Sequence, residues 1–468
     1  MLSPRVRLPY RGAMAAPQPY RADPAILTLG EGFFDPVAPA DFPTAIPRFL
    51  NHRWADRVGL GDVDWEAHFA RFEPLPANLP KPLALRYHGH QFRHYNPDLG
   101  DGRGFLFAQL RDAPSSKQEH GRLLDLGTKG SGQTPWSRRG DGRLTLKGGV
   151  REVLATEMLE ALGVNTSKSF ALFETGEALE RGDEPSPTRS AVLTRLSHGH
   201  IRIGTFQRLA FLKDAERLKR LTAYCLGELY GEPGDDPLLL FDLVCTATAT
   251  LAASYIAAGF VHGVLNSDNI NITGESFDYG PWRFAPEWDE NFTAAYFDEY
   301  GLYAFGRQPE AIQWDVAQLA GCLALIAEPP ALSDLLAQWP ARFEAAMGER
   351  FALRLGVEVE PELLPAVLKA RRSRQVGLDR FFFDWRGGRL PSAEAYSDPA
   401  FEDLFILFAE REAPPADPYW SDPAPCSMLI EEVEAIWNAI AERDDWAPFE
   451  AKIAAIRRMG EAMTMDRN

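Results

Sequence analysis

Between Leu83 and Leu196 the apolar positions fall into short runs, Phe105–Leu110, Leu123–Leu126, Ser169–Phe173 and Ala191–Thr194, bounded by polar or Gly-rich stretches. Runs of this length with such borders predict β-strands. One segment breaks the pattern: from Gly149 to Leu162, Val150, Val153, Leu154, Met158 and Leu162 share one face at helical spacing, predicting a single helix among the strands. After Thr205 the period is helical, with helices predicted at Lys213–Tyr230, Pro237–Phe260, Ile312–Ala327, Leu332–Phe351 and Ile430–Arg443. The Pro-rich stretches Asp183–Pro187 and Ala413–Pro425 read as exposed connections, and no internal repeat interrupts the chain. The predicted class is α+β in two lobes. Residues 1–80 form an N-terminal extension, 81–197 a small β-rich lobe, and 198–468 a large helical lobe with a helical C-terminal extension.

The strongest chemical signal lies at Val261–Pro281, reading VHGVLNSDNINITGESFDYGP. His262-Gly263 closes a long apolar segment, Asn269 follows, and Asp278 opens an Asp-Tyr-Gly triplet. This parallels the catalytic-loop Asn and the Asp-Phe-Gly Asp that hold Mg²⁺ in kinases, and both are oxygen ligands suited to Mg²⁺ or Mn²⁺. Strands with one helix, followed by helices, is also the order of a bilobal protein-kinase-like fold. In small-molecule kinases with a His-Gly-Asp loop the catalytic base directly follows His-Gly. Here that position is Val264, which cannot accept a proton, and Asp268 is the nearest carboxylate to take over. His262 reads as a structural residue that orients the loop.

Lys129 follows an apolar strand and Glu152 lies on the predicted helix, the arrangement by which a kinase fold anchors its phosphate-binding Lys. The competing reading is a surface ion pair of little worth, and the downstream metal motif favours the functional one. Gly100, Gly102 and Arg103 would bring bare backbone and a guanidinium to phosphate oxygens; a hairpin turn is the alternative. Asp141-Gly142 is by default a turn, and Arg195 and Arg202 taken alone are solvated charges.

Four runs in a fixed order change that picture: Tyr87-His88-Gly89-His90-Gln91-Phe92, Leu99-Gly100-Asp101-Gly102-Arg103, Leu126 to Pro135 (LGTKGSGQTP), and the block around Asp268. Together, over Leu83 to Ala320, the chain resembles the selenoprotein O family, pseudokinase-fold enzymes that transfer AMP from ATP to hydroxyl groups of proteins. The resemblance implies ATP as co-substrate, Mg²⁺ or Mn²⁺ on Asn269 and Asp278, and protein acceptors with Ser, Thr or Tyr hydroxyls. It also assigns Asp141-Gly142, Arg195 and Arg202 to the nucleotide site, and implies a nucleotide flipped relative to kinases, so that the α-phosphorus faces the acceptor. A kinase-type phosphotransferase and a catalytically silent ATP-binding pseudokinase are the rival readings. The chain departs from the family pattern at Arg93, where a Gly is usual, and at Trp136, where a Tyr or Phe is usual. The block Asn291–Asp298 also lacks the usual Cys, and the pattern resumes at Tyr303-Ala304-Phe305 and Gln308-Pro309.

Composition narrows the partners. A 468-residue chain, 45% hydrophobic and 25% charged, can bury a sizeable core in each lobe. A net charge of −17 argues against nucleic acid as the main partner, because phosphate backbones need a wide positive field; a local basic pocket for ATP remains compatible. Pro237–Phe260 carries Asp242 and several Thr residues, so a buried helix is expected rather than a membrane span. Arg5, Arg7, Arg11 and Arg21 precede the first acid, Asp23, without an apolar signal core, so a loose leader or a start at Met14 is expected. Cys225, Cys245, Cys322 and Cys426 show no Cys-x-x-Cys spacing, which supports neither a disulfide framework nor structural zinc and suits a reducing cytoplasm. Nothing in the composition sets an oligomeric state.

The cysteine pattern generates the first prediction. With no Cys in Asn291–Asp298 and none after Cys426, activity is expected to respond little to thiol reductants. Transfer rates measured with and without dithiothreitol check this; strong activation on reduction would contradict it.

Overall fold

Eight strands form one antiparallel sheet in the computed structural model, which describes residues 19–114, 120–182, 184–392, 394–409 and 417–465. Arg5, Arg7, Arg11 and Met14 of the opening lie outside the described residues. The sheet comprises β1 (Phe34–Pro36), β2 (Ile46–Leu50), β3 (Leu83–Leu85), β6 (Leu106–Arg111), β7 (Leu123–Lys129), β8 (Leu144–Thr145), β9 (Lys168–Leu179) and β10 (Thr188–Ser197). A small hairpin, β4 (Gly89–Gln91) and β5 (His94–Asn96), stands apart from it. The order is β1-β3-β6-β7-β10-β9-β2, with β8 paired to β10. The segment before residue 81, expected as an extension, thus supplies both edge strands. They are three and five residues long and contain Pro36 and Pro47, too short and irregular for a period to show.

Alternation along the strands divides the core. Leu106, Leu123 and Leu193 face one side, while Phe105, Phe107, Leu124, Leu126 and Val192 face the other. The second side is covered by Trp54 of α1 (His52–Arg57) and Phe69 of α2 (Trp65–Phe69). The first is covered by α3 (Leu146–Ala161), whose N-cap Thr145 accepts from the Gly148 N–H. Gly149 sets how closely α3 approaches: a Cβ there would lie 2.5 Å from Leu172 Cδ1.

The helical lobe opens with α4 (Ile203–Phe211) and α5 (Ala215–Tyr224), then α6 (Pro237–Ala258), α7 (Gln308–Leu323), α8 (Pro329–Ala337) and α9 (Trp339–Leu355). It continues through α10 (Leu363–Ala370), α11 (Leu378–Asp384), α12 (Glu402–Phe408), α13 (Ile430–Arg443) and α14 (Ala447–Met465). Between α6 and α7 lies a two-stranded ribbon, β11 (Phe260–Val261) with β12 (Arg283–Phe284). The architecture is the bilobal, kinase-like α+β fold that the element order predicts. The apolar α6 is long enough to span a membrane by composition, but its most apolar window is 67% buried and it packs between α7 and α9.

Three expectations change. The helix expected over Leu332–Phe351 is two helices, because Pro340 lacks the N–H an interior turn needs and sits instead in the first turn of α9. The helix expected over Lys213–Tyr230 ends at Tyr224 and continues as a π-helical turn. Ala413–Pro425 is not exposed throughout: Tyr419 and Trp420 are buried against Phe383, with ring centroids 5.5 and 5.7 Å away. The part of that stretch up to residue 416, like Asp183, lies outside the described residues.

Candidate active site

Register places the first charges. Lys129 on β7 stands opposite Leu193 on β10, so Arg195, two residues on, shares its sheet face, the one that α3 covers. Glu152 projects from α3 onto this face. Its Oε2 lies 2.5 Å from Lys129 Nζ and its Oε1 3.2 Å from Arg195 Nη1. Asp278 completes the group, with Oδ1 2.8 Å from Lys129 Nζ and 3.4 Å from Arg195 Nη1. The Lys129 and Glu152 side chains are buried, and Asp278 is the most open member. Burial alone would raise the Asp278 pKa, but Lys129, Arg195 and Arg103 outweigh it and hold the carboxyl well below the usual range. Asp278 adopts φ 62°, a left-handed conformation unusual for a side-chain-bearing residue.

His262 orients this loop from below, its Nε2 donating to the Phe277 carbonyl at 3.0 Å and its backbone N–H donating to Gln308 Oε1. Ser267–Asn269 forms one 3-10 turn. Asn269 Nδ2 donates to the Val264 carbonyl at 2.9 Å, which leaves Oδ1 without a hydrogen bond among the described residues. Asp268 is 7% exposed, and its Oδ1 has no partner among the described residues. Burial, together with the Asp278 charge, pushes its carboxyl up to about 6 against the pull of Arg202. The β4–β5 hairpin lies directly on it. His90 N–H donates to Ser267 Oγ at 2.7 Å, and a Cβ on Gly89 would come within 2.9 Å of Asp268 Cβ.

Arg202 links the layers. Its Nη1 donates to the Asp268 carbonyl at 3.0 Å and its Nη2 lies 3.4 Å from Asp101 Oδ1. The guanidinium sits 4.1 Å from the Tyr87 ring centroid and 4.9 Å from that of Phe277. At Gly100 the absent side chain admits the Trp136 ring, so glycine there answers a packing need. Gly102 also lies against Trp136, through its backbone oxygen, and Arg103 is exposed with its charge acting on Asp278. Asp141 stays outside the ion cluster: it is half-exposed and pairs with Arg181 at 2.8 Å. Gly142 braces the loop after Lys129, its carbonyl accepting from Gly132 N–H at 3.1 Å.

Two of the family departures are absorbed locally. Arg93 takes φ 63°, where glycine would be unstrained, and pairs with Glu310 at 3.0 Å. In the loop that lacks the usual Cys, Asp298 accepts from Leu302 and Tyr303 N–H at 2.8 Å each. Two acids of the region escaped the motif reading. Asp101 sits inside the Leu99–Arg103 run. Asp315 sits in the apolar stripe of α7 with Ile312, Val316 and Leu319; it is 1% exposed, and burial with the Asp268 charge holds it well above the usual range. An acid at a stripe position was the available signal.

No group of three His, Cys, Asp or Glu side chains forms a metal site among the described residues. The unpaired Asn269 Oδ1 and the ionised Asp278 are hard oxygen donors, a pair that fits Mg²⁺ or Mn²⁺ rather than zinc. A cavity of about 630 Å³, lined by α13, α14 and part of the segment 419–427, shares no residue with this cluster.

Different environments predict different mutant phenotypes. Asp278→Ala should abolish transfer and weaken metal-supported ATP binding, because Asp278 faces Lys129 and Arg195. Asp268→Ala should lower kcat by about 10²–10⁴-fold with ATP binding largely kept, as for a proton acceptor. Nucleotide titration beside turnover measurements checks both; equal loss of ATP binding would contradict the division of roles.

A family profile described as "Protein adenylyltransferase SelO" matches residues 19–410, a wider span than the motifs alone cover. Among curated proteins the chain is 41% identical over 462 residues to "Protein nucleotidyltransferase YdiU" of Synechocystis sp., covering 91% of this chain and 96% of that protein. It is 41% identical to the protein of the same name from Gloeobacter violaceus, over 93% and 95% of the two chains. The same-named protein of a Bradyrhizobium strain is 32% identical over 92% of each. The ion cluster, the Asp268 loop and the overlying hairpin all fall inside the matched span, and the chain belongs to the SelO family of protein adenylyltransferases.

Proposed function

We propose that this chain transfers AMP from ATP to Ser, Thr or Tyr hydroxyl groups of proteins, with Mg²⁺ or Mn²⁺ held by Asn269 and Asp278. The observation that carries this reading is the pairing of an intact Lys129–Glu152–Asp278 cluster with Val264 at the position of the kinase base. Asp268 supplies the missing function, being the buried carboxylate with an unoccupied oxygen beside the metal-ligand Asn. In the step, Asp268 Oδ1 takes the acceptor hydroxyl proton, the hydroxyl oxygen bonds to the α-phosphorus, and pyrophosphate leaves. Lys129, Arg195 and Arg103 supply the positive charge that the polyphosphate needs. The bound metal would add charge stabilisation at the phosphate oxygens. Arg202 and Tyr87 keep the Asp268 loop and the Gly100–Arg103 turn together. A reducing cytoplasm is the compartment that suits its four free thiols.

The reading predicts which phosphate remains on the acceptor. Label from α-labelled ATP, and not from γ-labelled ATP, should become protein-bound in a metal-dependent manner. Mass spectrometry of the product should show added AMP; transfer of the γ label would establish a phosphotransferase instead, and ATP binding without either transfer would mark a silent pseudokinase.

A further inference from the structure

The helix that carries Glu152 is also gripped from its far side. Glu157 follows Glu152 by five residues, roughly 140° around a helix of 3.6 residues per turn, so the two carboxylates leave α3 in different directions. Glu152 meets Lys129 and Arg195. Glu157 meets Arg457 of α14, whose Nε lies 2.7 Å from Oε2 and whose Nη2 lies 2.9 Å from Oε1. The Glu157 side chain is only 2% exposed, so its charge depends on protein partners, and a two-pronged guanidinium contact fixes orientation as well as charge. Asn51 Nδ2 at 3.4 Å and Arg53 at 3.9 Å are more distant companions.

The grip extends along α3. A Cβ on Gly460 would come within 3.2 Å of Ala161 Cα and Cβ, so α14 crosses the end of α3 at near backbone contact. At the start of α3, Lys147 Nζ lies 2.7 Å from Glu434 Oε2 on α13. On β10, Arg189 Nη2 lies 2.8 Å from Asp444 Oδ1, and its Nη1 donates to the Ile440 carbonyl. The same helical pair is rooted in the large lobe, where buried Arg386 donates from Nη2 to the Met463 carbonyl at 3.1 Å. The α13–α14 pair therefore joins the large lobe to the back of the helix that holds Glu152.

We infer that α13–α14 acts as a clamp on the nucleotide site, and that Arg457 is the positioning residue through which it holds Glu152 against Lys129. The consequence is electrostatic. Lys129 is shared between Glu152 at 2.5 Å and Asp278 at 2.8 Å. If α3 shifts, Glu152 withdraws, and the buried ammonium is left to Asp278 alone, competing for the carboxylate that the proposed function assigns to the metal. This inference rests on that reading of the site, but Lys129 can be examined without turnover.

The test uses the full-length chain and an amine-acylating reagent, with modification of Lys129 followed by peptide mass spectrometry. Arg457→Ala should speed Lys129 acylation and raise the KM for ATP, each by about tenfold or more, the scale on which small misplacements of positioning groups act. Leu404→Ala, a truncation in the core packed between α10 and α12, controls for general destabilisation and should leave Lys129 protected. Arg457→Lys keeps the charge but loses the two-pronged contact and should accelerate acylation less; it decides the matter if Arg457→Ala does not fold. Wild-type acylation in the decisive variant, or equal acceleration in Leu404→Ala, would overturn the clamp. Because acylation needs no AMP transfer, it can succeed or fail independently of the proposed activity.

Discussion

A buried knot of two cations and two carboxylates holds this molecule's site together. Lys129, Arg195, Glu152 and Asp278 come from β7, β10, α3 and the loop before β12, and each carries a charge that would be costly to bury alone. Assembled, they offset one another; removing one partner from such a group typically costs about 3–5 kcal/mol. Much of the surrounding structure serves that assembly. The antiparallel register puts Lys129 and Arg195 on one face, and Gly149 lets α3 come close enough for Glu152 to reach them.

The two carboxylates of the loop region are separated in character by their neighbours. Asp278 faces Lys129 and Arg195 and stays ionised. Asp268 is enclosed beneath the β4–β5 hairpin, with an orphaned oxygen and a carboxyl pushed up to about 6, which suits proton transfer near neutrality. Arg202 offsets part of the burial cost of Asp268 and ties its backbone to Asp101. The same chemical group thus takes two ionisation behaviours because one is paired and the other is confined.

The departures from the family pattern show how local chemistry can be exchanged while the site persists. Trp136 fills the space above Gly100 and donates from Nε1 to Asp35 at 3.0 Å. Arg93 accepts a left-handed backbone and gains Glu310 and the Trp314 ring, whose centroid lies 5.4 Å from its guanidinium carbon. Asp298 secures by hydrogen bonds a loop where a Cys is usual in the family.

What the sequence alone determined is whatever depends on neighbours along the chain. Short apolar runs marked β6, β7, β9 and β10; one helical period marked α3; the spacing of Asn269 and Asp278 marked a kinase-like pair of oxygen donors; and Val264 marked the absence of a carboxylate directly after His-Gly. Tertiary structure decided what depends on distant partners. It placed β1 and β2 at opposite edges of the sheet and turned Asp141 outward to Arg181. It also buried Asp315 beside the Asp268 loop and laid α14 across α3, with Arg457 on Glu157 across 300 residues of chain. A charge's role is set by which opposite charge reaches it and how much water is excluded, and neither quantity is written in local spacing.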